Sequence, residues 1–208
     1  MWKWLFALCL ATVHAASMAI EEPSYEVVRA FEGGEVELRR YAPYVVAQVR
    51  LEGSPDQADS QGFRILAGYI FGKNKGERRM EMTAPVTRAA EPVKLEMTAP
   101  VTRSADAQGY RLQFVLPREV TLATAPEPID PRVQLREVPG GLVAAIRYSG
   151  TWSQSNYEHH LERLQAALRA AGIRWTGEPT LSRYNGPMTP WFLRRNEIWL
   201  AVEDAAAR

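Results

Sequence analysis

Two windows of this chain align without a gap at an offset of 97 residues. Val36–Gly53 and Val133–Gly150 share Val36/Val133, Leu38/Leu135, Arg39/Arg136, Val46/Val143, Ala47/Ala144, Arg50/Arg147 and Gly53/Gly150 as identical pairs. Seven identities in 18 positions, with apolar exchanges between them, mark two structural copies. Whatever fold the chain adopts must be built from two related halves, about 24–120 and 130–203.

Each window predicts two strands around a Pro/Gly corner. Val45, Ala47, Val49 and Leu51 alternate with Val46, Gln48 and Arg50, the period of a half-buried strand. Leu142, Ala144, Ile146 and Tyr148 repeat the pattern, and the corners fall at Pro43 and at Pro139-Gly140-Gly141. A helix follows each window. Ser54 is a natural cap and Pro55 fits the first helical position, with Phe63, Leu66 and Ile70 on one face and the helix running towards Gly72. In the second half Tyr157, Leu161, Leu164, Leu168 and Ala171 form an apolar stripe that Gly172 ends. Further strands are expected at Glu91–Thr102, Tyr110–Pro117, Pro179–Asn185 and Glu197–Glu203, and one at Arg78–Thr87. Each half thus reads ββ–α–ββ, an α+β protein with a distorted antiparallel β-barrel and two packed helices. The proline-rich connector Ala125–Pro131 joins the halves without acting as a flexible linker, because neither half alone can bury a full core.

The octapeptide Glu-Met-Thr-Ala-Pro-Val-Thr-Arg occurs at Glu81–Arg88 and again at Glu96–Arg103, echoed by Met188-Thr189-Pro190. The echo suggests one slot after each helix. Two readings of the phrase stand: Met and Val as core filler on an edge strand, or Met lining an apolar cleft.

The N-terminus has the build of a secretory signal: Lys3, an apolar run Leu5–Val13, and small residues ahead of cleavage after Ala15 or Ala19. Export to a periplasm or the exterior is expected, with residues 1–19 removed and one domain over 20–208. The alternative is a cytoplasmic protein that starts at Met18. Removal takes Cys9, the sole cysteine, together with His14, and leaves 24 basic and 24 acidic residues. Thiolate chemistry and cysteine zinc sites are then excluded. No basic field points to nucleic acid, and no other apolar run approaches spanning length, so no membrane partner is expected. A monomer is the expected state.

Little in the chain carries catalytic signature. His159 and His160 are helix neighbours about 100° apart, poorly placed to share a metal, and no metal site is expected. Gly72-Lys-Asn-Lys-Gly76 is a turn rather than a phosphate loop, since it follows a helix and lacks the Lys-Ser/Thr ending. Arg194-Arg195 suits either carboxylate capture or an internal tie.

Tyr69-Ile-Phe-Gly-Lys-Asn74, the Met-Thr-Ala-Pro-Val-Thr phrase, Phe114-Val-Leu-Pro117, Ser149-Gly150, Tyr184-Asn185-x-Pro187-x-Thr-Pro190 and Leu193-Arg-Arg-Asn-Glu-Ile-Trp199 together resemble the SOUL haem-binding protein family, from about Pro23 to Val202. The resemblance implies a barrel of repeated units akin to gyrase-inhibitor-like, effector-binding domains. It also implies a cleft for haem or a related tetrapyrrole between Ser60–Phe71 and Tyr184–Trp191. Phe63, Leu66, Ala67, Ile70, Met82, Met97, Tyr184, Met188, Trp191, Arg194 and Arg195 are the ligand-binding candidates that follow. Basic side chains that meet propionates in vertebrate members correspond here to Ser60, Gly68 and Thr189, and the axial histidine has no counterpart. Haem is therefore possible but not required, bound weakly and without a histidine ligand. The rival functions are a hydrolase of a small reactive hydrophobic compound, with Glu81 or Glu96 as its acid, and a ligand-free interaction module.

Overall fold

The computed structural model describes residues 21–76, 93–106 and 109–203. The proposed leader at 1–19, the first octapeptide copy with Glu81 and Met82, and the expected strand at 78–87 lie outside these residues. Nine strands and two helices occur among them: β1 Tyr25–Phe31, β2 Val36–Tyr41, β3 Tyr44–Leu51, α1 Pro55–Ile70, β4 Val101–Asp106, β5 Gly109–Val115, β6 Gln134–Val138, β7 Gly141–Tyr148, α2 Gln154–Ala170, β8 Trp175–Arg183 and β9 Asn196–Val202.

The duplication is visible residue for residue. β3 and β7 begin and end 97 positions apart. Each is followed by a glycine at positive φ, 104° at Gly53 and 116° at Gly150, a region that side chains disfavour. A Cβ at either glycine would also press within 2.8 Å of the side chain at Gln57 or Asn156 in the next helix. Serine caps come next. Ser54 Oγ accepts from Gln57 N at 3.4 Å, and Gln57 Oε1 accepts from Ser54 N at 3.2 Å, a full capping box with Pro55 at the first helical position. Ser153 Oγ accepts from Asn156 N at 3.3 Å.

All strand pairs are antiparallel, in the order β1-β2-β7-β9-β8-β4-β5-β3-β6. Apart from β1 this order is a palindrome of the two copies, centred on the β8–β4 seam. The corners are not hairpin turns, however: β2 pairs with β7 and β6 with β3, so each half donates its first strand to the other. The two corners cross in contact, for a Cβ on Gly140 would lie 2.7 Å from the Tyr41 carbonyl oxygen and 3.1 Å from Pro43 Cδ. The ladder is open at β1 and β6, so the sheet is strongly curved but not a hydrogen-bonded barrel.

Both helices cover one face. Val45, Ala47, Val49 and Leu51 pack with Leu112 and Phe114 under Ala58, Leu66, Tyr69 and Ile70 of α1. Leu38, Ala144, Ile146 and Tyr148 pack with Ile198 and Leu200 under Leu164, Ala167 and Leu168 of α2. Each fully buried Leu or Ile here contributes roughly 1.5–3 kcal/mol. At Gly62 a Cβ would stand 2.7 Å from Leu112 and 2.8 Å from Leu51, so glycine lets α1 approach the sheet. The other face curls inward around Tyr41, Ala145, Tyr184 and Trp199 and around a polar interior of Arg39, Gln48, Thr102, Ser182 and Glu197.

Two expectations change, and one strand is unforeseen. Residues 93–100 are not strand; β4 begins only at Val101, after Pro100, which has no N–H for a ladder. β1 is an edge strand with an exposed middle, which has no sequence alternation to announce it. Met188-Thr189-Pro190 lies in the β8–β9 connection, one strand later than the slot of Glu96–Arg103 before and within β4. The connector does pack down as expected: Ala125 is fully buried and Pro126 O accepts from Tyr69 Oη at 2.9 Å. Asn74 ties the turn after α1 to the returning chain, donating to Tyr69 O and Val93 O and accepting from Gly76 N and Val93 N.

Candidate functional site

Cross-strand register decides what occupies the helix-covered face at the centre of the sheet. Val101 pairs with Arg183 and Arg103 with Leu181, so all four side chains share that face, while Thr102 and Ser182 turn inward. α1 lies over β3 and β5, and α2 over β7 and β9. The seam strands β4 and β8 remain as the floor of a groove of about 440 Å³. Asp56, Asp59, Ser60 and Phe63 of α1 form one wall; Trp152 and the turn Asn185–Pro187 close the opposite side. Leu112 completes the floor.

Asp59 stands at the centre of the electrostatics. It accepts from Arg103 Nη1 at 2.9 Å and from Arg183 Nη1 at 2.7 Å. All three side chains are mostly covered, at 16%, 14% and 20% exposure respectively. Burial lowers the Arg183 pKa; Asp59 opposes this, and the like charge of Arg103 adds to it, for a net downward direction. Trp152 organises the far wall. Its indole N–H donates to Asn196 Oδ1 at 2.9 Å, and the guanidiniums of Arg183 and Arg194 stack on its ring at 4.5 and 4.2 Å. Phe63 meets Phe114 edge-on at 5.3 Å and stays 44% exposed. The groove therefore offers aromatic and aliphatic walls with two cations and two carboxylates on them. That suits a flat, amphipathic molecule.

The residues expected at a cleft are dispersed. Phe63 lines the groove, as does Ser60. Leu66 and Ile70 are buried in the core beneath α1, where Ala67 and Met97 also pack. Tyr184 is buried on the inward face, its hydroxyl donating to Glu197 at 2.9 Å. Met188 and Trp191 project from the β8–β9 loop, 93% and 58% exposed. Arg194 donates to Thr189 O and Pro187 O, both at 2.8 Å, and so shapes the loop that bounds the groove. Arg195 pairs with Glu197 and Glu22, each at 2.8 Å. Met82 lies outside the described residues, as does Glu81; Glu96 is exposed. Neither histidine lines the groove: His160 stacks on Tyr148 at 4.1 Å and His159 is exposed. Asp59, Arg103, Arg183 and Trp152 were not among the sequence candidates. Arg103 ends the second octapeptide copy, a phrase whose two readings rest on its Met and Val and not on its arginine.

A second polar cluster lies inside the curved sheet. Glu197, with no exposure, accepts from Arg39 at 2.7 Å, Arg195 Nε at 2.9 Å and Trp199 Nε1 at 2.7 Å, besides Tyr184. Burial pushes its pKa up, but Arg39, Arg195 and the indole N–H outweigh this and hold it below the usual range. Burial raises Tyr184 and Tyr41 well above the normal phenol value. With its carboxylate oxygens engaged by so many donors, this cluster ties β2, β8 and β9 together.

Comparison with known proteins bears on this groove. Human heme-binding protein 2 is 28% identical over 198 residues, 93% of this chain and 92% of the relative. Mouse heme-binding protein 1 is 27% identical over 182 residues, 86% and 85% of the two chains. Among solved structures, a hydrolase from Listeria innocua superposes with a TM-score of 0.57 at 14% identity, over 81% of this chain and 92% of that one. The EcmrR C-terminal domain gives 0.55 at 13% identity, over 87% and 99%. At such identities these two show the fold alone. The model of the SOUL heme-binding protein family matches residues 20–201, and the chain belongs to that family.

Proposed function

We propose that this protein binds a small hydrophobic ligand with acidic substituents, haem or a related tetrapyrrole being the leading candidate, in the groove over the β4–β8 seam. The observation that carries the reading is an apolar groove of about 440 Å³ holding two arginines, in a chain whose family and relatives are named for haem binding. Phe63, Leu112, Leu181 and Trp152 would hold the ring, and Arg103 and Arg183 would meet its carboxylates. None of the described lining residues is a His, Cys, Met or Tyr, so no strong axial ligand is offered to iron. Binding is then weak and governed by the ring and its acids rather than by the metal. The test is titration of haemin into the protein, followed at the Soret band, beside Phe63→Asp. Phe63 is half-exposed but rests on Phe114, so thermal unfolding of the variant is measured beside the titration to establish that the fold is intact. A saturable change that Phe63→Asp abolishes supports the groove; a change equal to that of an unrelated protein, or untouched by the substitution, sinks it.

We further propose that the protein is exported. The support is the charged, apolar and small-residue order of residues 1–19. Mass spectrometry of the periplasmic fraction should find a chain beginning after Ala15 or Ala19. A chain confined to the cytoplasm and starting at Met18 would overturn it.

A further inference from the structure

The connection between β8 and β9 carries the densest exposed apolar surface among the described residues. Met188 is 93% exposed, Trp191 58%, Phe192 59% and Leu193 64%. The eight residues Gly186–Leu193 contain no charge. The side chains are held outward by a built loop. Arg194 bonds the Thr189 and Pro187 carbonyls from beneath, Gly150 N donates to Trp191 O at 3.0 Å, and Arg195 N donates to Asn185 Oδ1 at 2.6 Å. Trp191 and Phe192 stand edge to face at 5.5 Å within a 3-10 turn.

We propose that this loop docks the protein on a lipid bilayer surface, with Met188, Trp191, Phe192 and Leu193 inserted at the headgroup boundary. Three observations favour lipid over a protein partner. The tip is small: four side chains of about 200 Å² each at these exposures offer on the order of 500 Å², short of the roughly 800 Å² a stable protein interface needs from each partner. Its composition is that of an interfacial anchor, aromatic and aliphatic without charge. Part of its backbone is satisfied within the loop, because Pro187 and Pro190 have no N–H, Thr189 N donates to Gly186 O, and Leu193 N donates to Pro190 O; the rest suits the hydrated headgroup boundary rather than the hydrocarbon. No helix among the described residues is long and apolar enough to cross a membrane. The expectation of no membrane partner rested on spanning runs, and a folded tip escapes that criterion. Asn185, Gly186 and Pro187 also line the groove, so docking would set the groove's mouth against the bilayer, where a poorly soluble ligand partitions. The docking itself does not depend on the ligand reading.

The test uses the full chain without haem and phosphatidylcholine vesicles with brominated acyl chains. The difference in emission between wild type and Trp191→Phe isolates Trp191 from the other tryptophans and from any binding by residues 1–19. Brominated vesicles should quench that difference signal, and unbrominated vesicles should shift it to the blue. The triple variant Met188→Ser, Trp191→Ser, Phe192→Ser should weaken loop-dependent vesicle binding by about tenfold or more, since affinity scales with inserted apolar area. Salt should have little effect, because the tip carries no charge. A Trp191 signal that brominated lipid leaves unquenched overturns the proposal. So does self-association that the triple variant abolishes while quenching is absent.

Discussion

Asp59→Asn should move stability and ligand affinity in opposite directions. In the folded protein Asp59 pairs with both Arg103 and Arg183, at 2.9 and 2.7 Å. Removing one partner of a fully buried ion pair costs about 3–5 kcal/mol, whereas an exposed pair is worth about 0–1 kcal/mol. These side chains are 14–20% exposed and border an open groove, which places the loss near 2 kcal/mol. For a chain of this length that lowers Tm by about 4–8 °C. The same change frees two guanidiniums inside the groove. A carboxylate that pairs with one gains roughly 1.5–3 kcal/mol, so haemin should bind about tenfold tighter or better. The assay combines thermal unfolding with Soret titration, and adds the dimethyl ester of the porphyrin, which lacks the acids. Haemin affinity should rise while ester affinity stays level. If haemin binds no tighter, or the ester gains equally, the arginines do not recognise carboxylates and the assigned chemistry is wrong.

Other substitutions probe the frame. Glu197→Ala leaves Arg39, 2% exposed, without its buried counter-charge and should cost about 3–5 kcal/mol in urea unfolding. Glu197 also sets an acid limit. Its folded pKa lies below the unfolded value, so its contribution is complete above about pH 4 and is lost as the pH falls through the folded value; acid titration of stability should show this. His160 runs with the neutral form favoured. Burial lowers its pKa, aided by the charges of His159 and Arg163 and opposed by the Asn156 carbonyl. Stability should therefore fall as the pH drops below about 6.5, and His160→Gln should flatten that step. Asn74→Ala removes four hydrogen bonds at the end of α1 and should cost about 2–4 kcal/mol, read as an earlier urea midpoint.

The local alphabet of this fold was readable and its pairing was not. β3 and β7 could be seen because the residues under the helices are apolar at every second position of Val45–Leu51 and Leu142–Tyr148; the half-buried pattern read from them is nevertheless incomplete, since Val46, Gln48 and Ala145 are buried on the other face. The helices announce themselves through Ser54-Pro55 in the first half and the apolar stripe Tyr157–Ala171 closed by Gly172 in the second. Strand exchange at the crossed corners could not be seen, because Pro43 and Pro139-Gly140 have the chemistry of ordinary turns, and the pairing of β2 with β7 and of β3 with β6 is a long-range relation. Phe63, Leu66 and Ile70 share a helical face in sequence, yet the glycine contact at Gly62 draws α1 close enough to bury Leu66 and Ile70 and leave Phe63 at the groove. Arg103 and Arg183 meet one carboxylate only because strands 80 residues apart are paired, a relation with no local signature.

That pairing also relocates the octapeptide within the duplication. Thr102 and Ser182 face each other at the centre of the seam, flanked by Val101 opposite Arg183 and Arg103 opposite Leu181. A twofold through that centre exchanges Val101-Thr102-Arg103 with Leu181-Ser182-Arg183, an apolar residue, a hydroxyl and an arginine in each copy. The counterpart of the phrase's end is thus the end of β8, not Met188-Thr189-Pro190. Both hydroxyl residues turn into the closed interior, and both arginines turn out into the groove. Duplication alone would leave two like charges on one diagonal across the axis, which is unfavourable at close range. The chain resolves this by breaking its own symmetry. Asp59, five residues beyond the Ser54 cap, reaches both arginines, whereas Glu158, five beyond Ser153, is exposed and accepts from Gln154. The gap between the helices comes from the repeat; its chemical character comes from Asp59, which reaches the two arginines while its counterpart Glu158 stays on the outer surface of α2.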